Sequence, residues 1–164
     1  PLFKPSEKWD VITSTVLWTS MVALLAFLTY EWGFMWFLKY YAVPYIVFVI
    51  WLDLVTFLHH TEPDIPWYRG EEWTFLKGAL SSVDRDYGFI NHIHHDIGTH
   101  VAHHIFLNIP HYNMKKATEA IKPVLGEYFH KSEESILTSL WNSSKKCHFV
   151  PDEGKTVYYT SHLN

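Results

Sequence analysis

The sequence predicts an all-α integral membrane protein: one transmembrane helical hairpin, then a mostly helical cytosolic or stromal cap that closes with a small C-terminal β-hairpin. Three observations carry this expectation. Residues 11–58 hold two long, nearly uncharged apolar runs, whereas residues 59–164 are polar and mixed in charge. Aromatic residues make up 18 % of the chain, more than a water-soluble core of this size needs. Charged residues are only 18 %, below the usual ~25 %. The 164 residues suffice for one domain, divided as a surface lead-in (1–10), a transmembrane hairpin (11–58) and a histidine-rich cap (59–164). A net charge of -4 gives no electrostatic footprint for a nucleic-acid partner. A single cysteine, Cys147, excludes an intrachain disulfide and a cysteine-based zinc knuckle. No signal peptide is visible, and Pro1 stands where Met is expected, which points to a fragment or a processed product.

Val11 to Tyr30 is an uncharged run about as long as the ~20 residues that span a bilayer core. Thr13, Ser14, Thr15, Thr19 and Ser20 dilute it, but their hydroxyls can bond back to the helix. Glu31-Trp-Gly33 is short enough only for a tight turn. Phe34 to Leu58 is the second run, interrupted by Lys39, Pro44 and Asp53. Lys39 can snorkel to an interface, and Pro44 kinks the helix or marks its effective start. Trp32, Trp36, Tyr40, Tyr41 and Tyr45 cluster as at a membrane–water boundary. A hairpin puts both polar flanks on one side of the membrane, and Lys4, Lys8, Arg69, Lys77 and Arg85 favour the cytoplasmic or stromal side. Asp53 is either a functional carboxylate within the span or an interfacial group bonded to a neighbour.

The cap follows. His59-His60 leave the second run as metal ligands or as interfacial polar caps. Residues 63–70 read as a loop, and Glu71 to Leu80 as a short helix with acids in its first turn. Val83-Asp-Arg-Asp-Tyr-Gly88 is either a solvated turn or a source of carboxylates that orient a histidine. Met114 to Phe129 has helical apolar spacing, weakened by Pro123 and Gly126. A last helix is expected from Ser132 through Lys146, its acidic start and basic end matching the macrodipole. His148-Phe-Val, a Pro151–Gly154 turn and Thr156 to Thr160 suggest the terminal hairpin.

The chemistry concentrates in residues 91–104, which hold six of the twelve histidines: His92, His94, His95, His100, His103 and His104. In His100-Val-Ala-His-His104 three imidazoles fall at i, i+3 and i+4, one face of a helix. Imidazoles aimed at one point suit Zn, Fe, Cu or Ni. A zinc protease helix needs Glu after its first His, but Val101 follows His100. A transporter would place histidines inside the spans, and Val11–Leu58 contains none. A histidine-rich redox metal centre at a membrane surface remains, suited to an apolar substrate arriving from the lipid.

His100-Val-Ala-His-His104 resembles the third histidine box (HxxHH) of the membrane fatty acyl desaturases. Val83–Gly88, Asn91–His100, Ile109-Pro-His-Tyr112 and Ala117–Gly126 resemble the plant and cyanobacterial branch. Trp51–His60 and Pro66–Gly70 are more similar to its omega-3 (delta-15) members than to its delta-12 members. The resemblance implies an acyl-lipid omega-3 desaturase that forms a cis double bond in unsaturated fatty acid biosynthesis. It implies two non-haem Fe2+ ions, O2 as co-substrate, membrane-lipid acyl chains as substrate, and ferredoxin or cytochrome b5 as electron donor. Cyanobacterial membrane, plastid or thylakoid membrane, and endoplasmic reticulum are the implied locations. The box carries catalytic and metal-binding roles to His100, His103 and His104. The family's ligand after its last membrane helix carries to His60, and its recurring histidine to His95, as ligand or supporting residue. Asn91, Asp84 and Asp86 are candidates for supporting the ligands. The family's upstream HxxxH and HxxHH boxes are not in this chain. It therefore looks like the C-terminal half of a desaturase, expected to be inactive alone. The alternatives are a hydroxylase or acetylenase with the same boxes, and a non-enzymatic membrane protein that binds metal or partners through its histidine face.

Overall fold

The computed structural model describes residues 3–162 and is mostly helical. The chain divides into two compact units, Pro1–Leu52 and Asp53–Asn164.

In the first unit a 3₁₀ turn, Pro5–Glu7, leads into helix α1, Lys8–Trp32. Its 25 residues rise about 37 Å, more than a bilayer core of about 30 Å. The hydroxyls do bond back: Thr15 Oγ1 donates to Val11 O at 2.7 Å, Thr19 to Thr15 O at 2.8 Å and Thr29 to Leu25 O at 2.6 Å. No residue of α1 is buried, and most of its apolar side chains are exposed, with Leu25 and Leu28 half-buried. Gly33, at φ 86°, ends the helix in a conformation that a side chain would strain. Helix α2, Phe34–Phe37, passes into a π-helical turn, Leu38–Ala42, and then helix α3, Val43–His60. The widened turn lies just ahead of Pro44, which lacks an N–H and would crowd the carbonyl four residues back. Aromatic rings four residues apart stack along this stretch, Phe37 on Tyr41 at 5.6 Å and Tyr41 on Tyr45 at 5.7 Å. Among the described residues, Pro5–Trp32 and Phe34–His60 are long and apolar enough to cross a membrane.

The second unit begins in the last turns of α3. It continues through strand β1 (Trp67–Tyr68), helix α4 (Phe75–Leu80), strand β2 (Asp84–Arg85) and helices α5 (Ile90–Ile93), α6 (His100–Ile105) and α7 (His111–Leu125). Strand β3 (Lys131–Ser132), helix α8 (Ile136–Lys146) and strand β4 (Thr156–Val157) complete it. Helix α6 packs against α4, α7 and β2. The core around it is Val55, Leu58, Ile65, Val83, Tyr87, Val101, Ala102 and Met114.

Three expectations shift. The expected helix from Glu71 breaks into a 3₁₀ turn, Gly70–Glu72, and α4, because Thr74 caps the latter by accepting from Lys77 N at 3.2 Å. The last helix starts after Ser135, whose Oγ accepts from Thr138 N, because Ser132 is taken into β3. The terminal hairpin shrinks to one bridge, Phe149 to Thr160, with N–H···O bonds of 3.0 and 2.8 Å. Thr156–Val157 pairs antiparallel with Trp67–Tyr68 instead. A far partner with apolar rings competes better for Val157 than the nearby Phe149–Val150 does, and Val157 is buried there.

Candidate metal centre

Two helices deliver three imidazoles to one point. His60 is the last residue of α3, and its ring lies near the Ser81 carbonyl. A ring proton turned to that carbonyl would leave the other nitrogen's lone pair free for the triangle. His100 and His104 lie one turn apart on α6. The Nε2 atoms are 3.0 Å apart for His100–His60, 3.2 Å for His104–His60 and 3.0 Å for His104–His100. Protons alone cannot satisfy this triangle. A neutral ring nitrogen either donates or accepts, so at least one of the three pairs is donor against donor or acceptor against acceptor. Three lone pairs around a cation remove the conflict. Each corner of such a triangle is about 1.8 Å from its centre, so His60, His100 and His104 would be close enough to share one ion at the usual ~2.0–2.1 Å. Among the described residues this is the one group of three ligand side chains placed to hold a metal ion.

Burial keeps the donors neutral. The His100 imidazole is lowered to about 2, first by loss of water and then by its histidine neighbours; His104 is lowered to about 4 for the same reasons. Both rings therefore offer lone pairs at neutral pH without first losing a proton.

The two-residue strand β2 brackets the site. Arg85, 5 % exposed, donates from Nε to Leu58 O at 2.8 Å and from one terminal nitrogen to Ser139 Oγ at 2.6 Å; the other pairs with Glu62. The guanidinium thus ties down the C-terminal turn of α3 on both sides of His60. Asp84 holds the other helix, its carboxylate accepting from Val101 N at 2.8 Å. Burial pushes the Asp84 carboxyl up to about 6 despite this bond. Arg85 N also donates to Gly98 O at 3.0 Å, and a side chain on Gly98 would collide with the Arg85 carbonyl.

A second layer lies behind His100. His59 is fully buried, its Nδ1 2.6 Å from Val83 O and its Nε2 3.2 Å from the Tyr87 hydroxyl. Nδ1–H therefore donates to the carbonyl and Tyr87 donates to Nε2, which leaves His59 no lone pair for a metal. Its ring stacks on His100 with centroids 4.2 Å apart and planes 18° apart.

The remaining sequence candidates lie outside the triangle. His103 is exposed, its ring centroid 5.8 Å from those of His100 and His104. His95 is exposed, left-handed at φ 57°, and its ring stands 4.3 Å from His111. Asp86 and Asn91 bond each other at 2.6 Å and close the 86–91 loop, with Asp86 also accepting from Gly88 N. In the sequence Arg85 counts only as a flank charge between the carboxylates at 84 and 86, yet it is the most connected residue of that stretch. The usable signal was three consecutive charges, Asp84-Arg-Asp86, immediately after the apolar Val83.

The description fatty acid desaturase matches residues 2–133 of this sequence. The chain belongs to the fatty acid desaturase family. It is 80 % identical over 160 residues to the sn-1 acyl-lipid omega-3 desaturase (ferredoxin) of Nostoc, covering 98 % of this chain and 45 % of that protein. It is 62 % identical to the Synechocystis protein of the same name, covering 100 % of this chain and 46 % of the relative. The temperature-sensitive sn-2 acyl-lipid omega-3 desaturase (ferredoxin), chloroplastic, of Arabidopsis thaliana is 55 % identical, covering 96 % of this chain and 38 % of its own length. The chain thus spans less than half the length of these desaturases. All three carry ferredoxin in their names, so of the two donors that the resemblance implied only ferredoxin finds support. No solved structure matches the chain.

Proposed function

We propose that this desaturase-family chain forms part of an O2-dependent acyl-lipid omega-3 desaturase that places a cis double bond in membrane-lipid acyl chains with electrons from ferredoxin. The observation that carries this is the triangle of Nε2 atoms of His60, His100 and His104, built from segments that resemble omega-3 desaturases. These three residues are the ligands for one non-haem iron. His103 and His95 serve the second iron, together with the upstream histidine boxes that the resemblance to membrane desaturases implies. Iron in such a site supplies the activation of O2 that removing hydrogens from an unactivated chain requires. The protein holds the His100 and His104 imidazoles neutral by burial and seats α6 through Asp84. Asn91 and Asp86 support the loop that ends at His95. Pro5–Trp32 and Phe34–His60 cross the cyanobacterial or plastid membrane as a hairpin, which puts His60 at the membrane exit on the cytoplasmic or stromal side.

The test is expression of the full-length protein in a host that makes ferredoxin but no omega-3 acyl chains, followed by analysis of lipid methyl esters. Omega-3 products are expected with the native protein and none with His103→Ala. Products that survive His103→Ala would overturn the catalytic reading. Hydroxylated or acetylenic products would replace desaturation with the related chemistry. Protease protection of sealed vesicles checks the side on which the 59–164 segment lies.

A further inference from the structure

Metal-bound histidines usually donate their second ring nitrogen to a carboxylate, a carbonyl or water, and that bond sets the ring's orientation. His100 does not. It is 8 % exposed, and its buried Nδ1 has no hydrogen-bond partner among the described residues. Nothing polar fixes the rotation of its ring about χ2, although its Nε2 must meet two others within 3.0 Å.

What lies against that ring is His59. The two rings are nearly parallel, 18° apart, with centroids at 4.2 Å. His59 is itself held at both ends of its imidazole, by Val83 O at 2.6 Å and by the Tyr87 hydroxyl at 3.2 Å. Tyr87 is 4 % exposed and its ring meets His59 edge-on, with centroids 5.5 Å apart. A clamped flat ring pressed on a second ring leaves the second one plane to occupy. We propose that His59 is a positioning residue that sets the ring plane of His100 by stacking, and that Tyr87 is the positioning residue that locks His59. This rests on the metal reading of the triangle and goes beyond it by assigning work to two residues that donate no ligand.

The experiment is Co2+ titration of the complete, metal-stripped protein in detergent, followed by the visible absorption of the bound ion. His59→Leu fills the space without a flat face. It should weaken Co2+ binding about 10-fold, within the usual ~10–100-fold for outer-shell changes, and should alter the band pattern. His59→Phe restores a flat ring and should recover the native spectrum and most of the affinity. Tyr87→Phe removes only the hydroxyl and should broaden the bands with a smaller loss of affinity. A thermal unfolding scan on each variant separates misfolding from misplacement. The proposal is overturned if His59→Leu, still folded, gives the native spectrum and affinity, or if His59→Phe is as impaired as His59→Leu. His100→Ala separates the two levels. If it leaves binding and spectrum unchanged, the triangle itself is wrong. If it loses them while His59→Leu does not, only the stacking role fails.

Discussion

Replacing Arg85 by Met should cost more stability than removing any single histidine. The side chain is 3 % exposed and bonds three acceptors on three segments: Leu58 O, Ser139 Oγ and the Glu62 carboxylate. A hydrogen bond to a charged donor is worth about 1.5–3 kcal/mol, and stranding the partner of a buried ion pair costs about 3–5 kcal/mol. These losses share one side chain and do not add. Glu62 is 18 % exposed, so part of its charge can reach water or take up a proton. Its carboxyl is already raised by loss of water, and removing Arg85 raises it further. The net expectation is about 3–5 kcal/mol, or roughly 6–20 °C in the unfolding midpoint at about 2–4 °C per kcal/mol for a chain of this size. Arg85→Met combined with Glu62→Gln should regain about 1–2 kcal/mol, since no charge is then left unpaired. The assay is thermal unfolding in detergent for the two single variants and the double. A loss below about 1 kcal/mol for Arg85→Met, or a double variant no better than that single, would refute the idea that this guanidinium anchors the turn bearing His60.

Other consequences can be checked directly. The 164-residue chain should bind about one metal ion per molecule, with binding abolished by His60→Ala, His100→Ala or His104→Ala and only weakened by His103→Ala; elemental analysis after gel filtration decides this, and two tightly held ions would contradict it. The metal-free chain should lose stability as pH falls from about 6.5 toward 4. His100 and His104 are lowered to about 2 and about 4, so the unfolded state takes up their protons first. Asp84, raised to about 6, and Glu62, also raised, work the opposite way over the same range, but His130 is lowered together with His100 and His104, so the lowered imidazoles outnumber the raised carboxyls. A flat midpoint between pH 4 and pH 6.5 would count against the buried, neutral imidazoles. Gly98→Ala should destabilise by about 1–3 kcal/mol and weaken metal binding as well, because the new methyl meets the Arg85 carbonyl and pushes β2 from the start of α6; unchanged unfolding and metal titration would show that the loop yields freely.

How much of this could be read from the residues depends on whether the signal was local. The long helices were legible because twenty uncharged residues have few other solutions, and the pairing of His100 with His104 because helix spacing requires it. Asp84, suspected as an orienting carboxylate, does contact the ligand helix, but at its backbone and not at an imidazole. The strands were not legible. Each is two residues long, and β1 finds β4 across most of the second unit, so no hairpin pattern announces the pairing. The division of labour between His59 and His60 was equally hidden. Adjacent histidines point about 100° apart on a helix, and only the fold decides which meets α6 and which meets Val83.

The brevity of β2 has a consequence for the order of events during synthesis. His60 meets its triangle partner His100 only 40 residues later, and Arg85 meets Ser139 only 54 residues later. At roughly 5–20 residues per second, about 2–8 s separate the first ligand from the second. Through that interval His60 has no partner to share an ion with, although Arg85 emerges before His100 and can already reach Leu58 O and Glu62. A metal ion therefore has no three-histidine site to enter until α6 has been made.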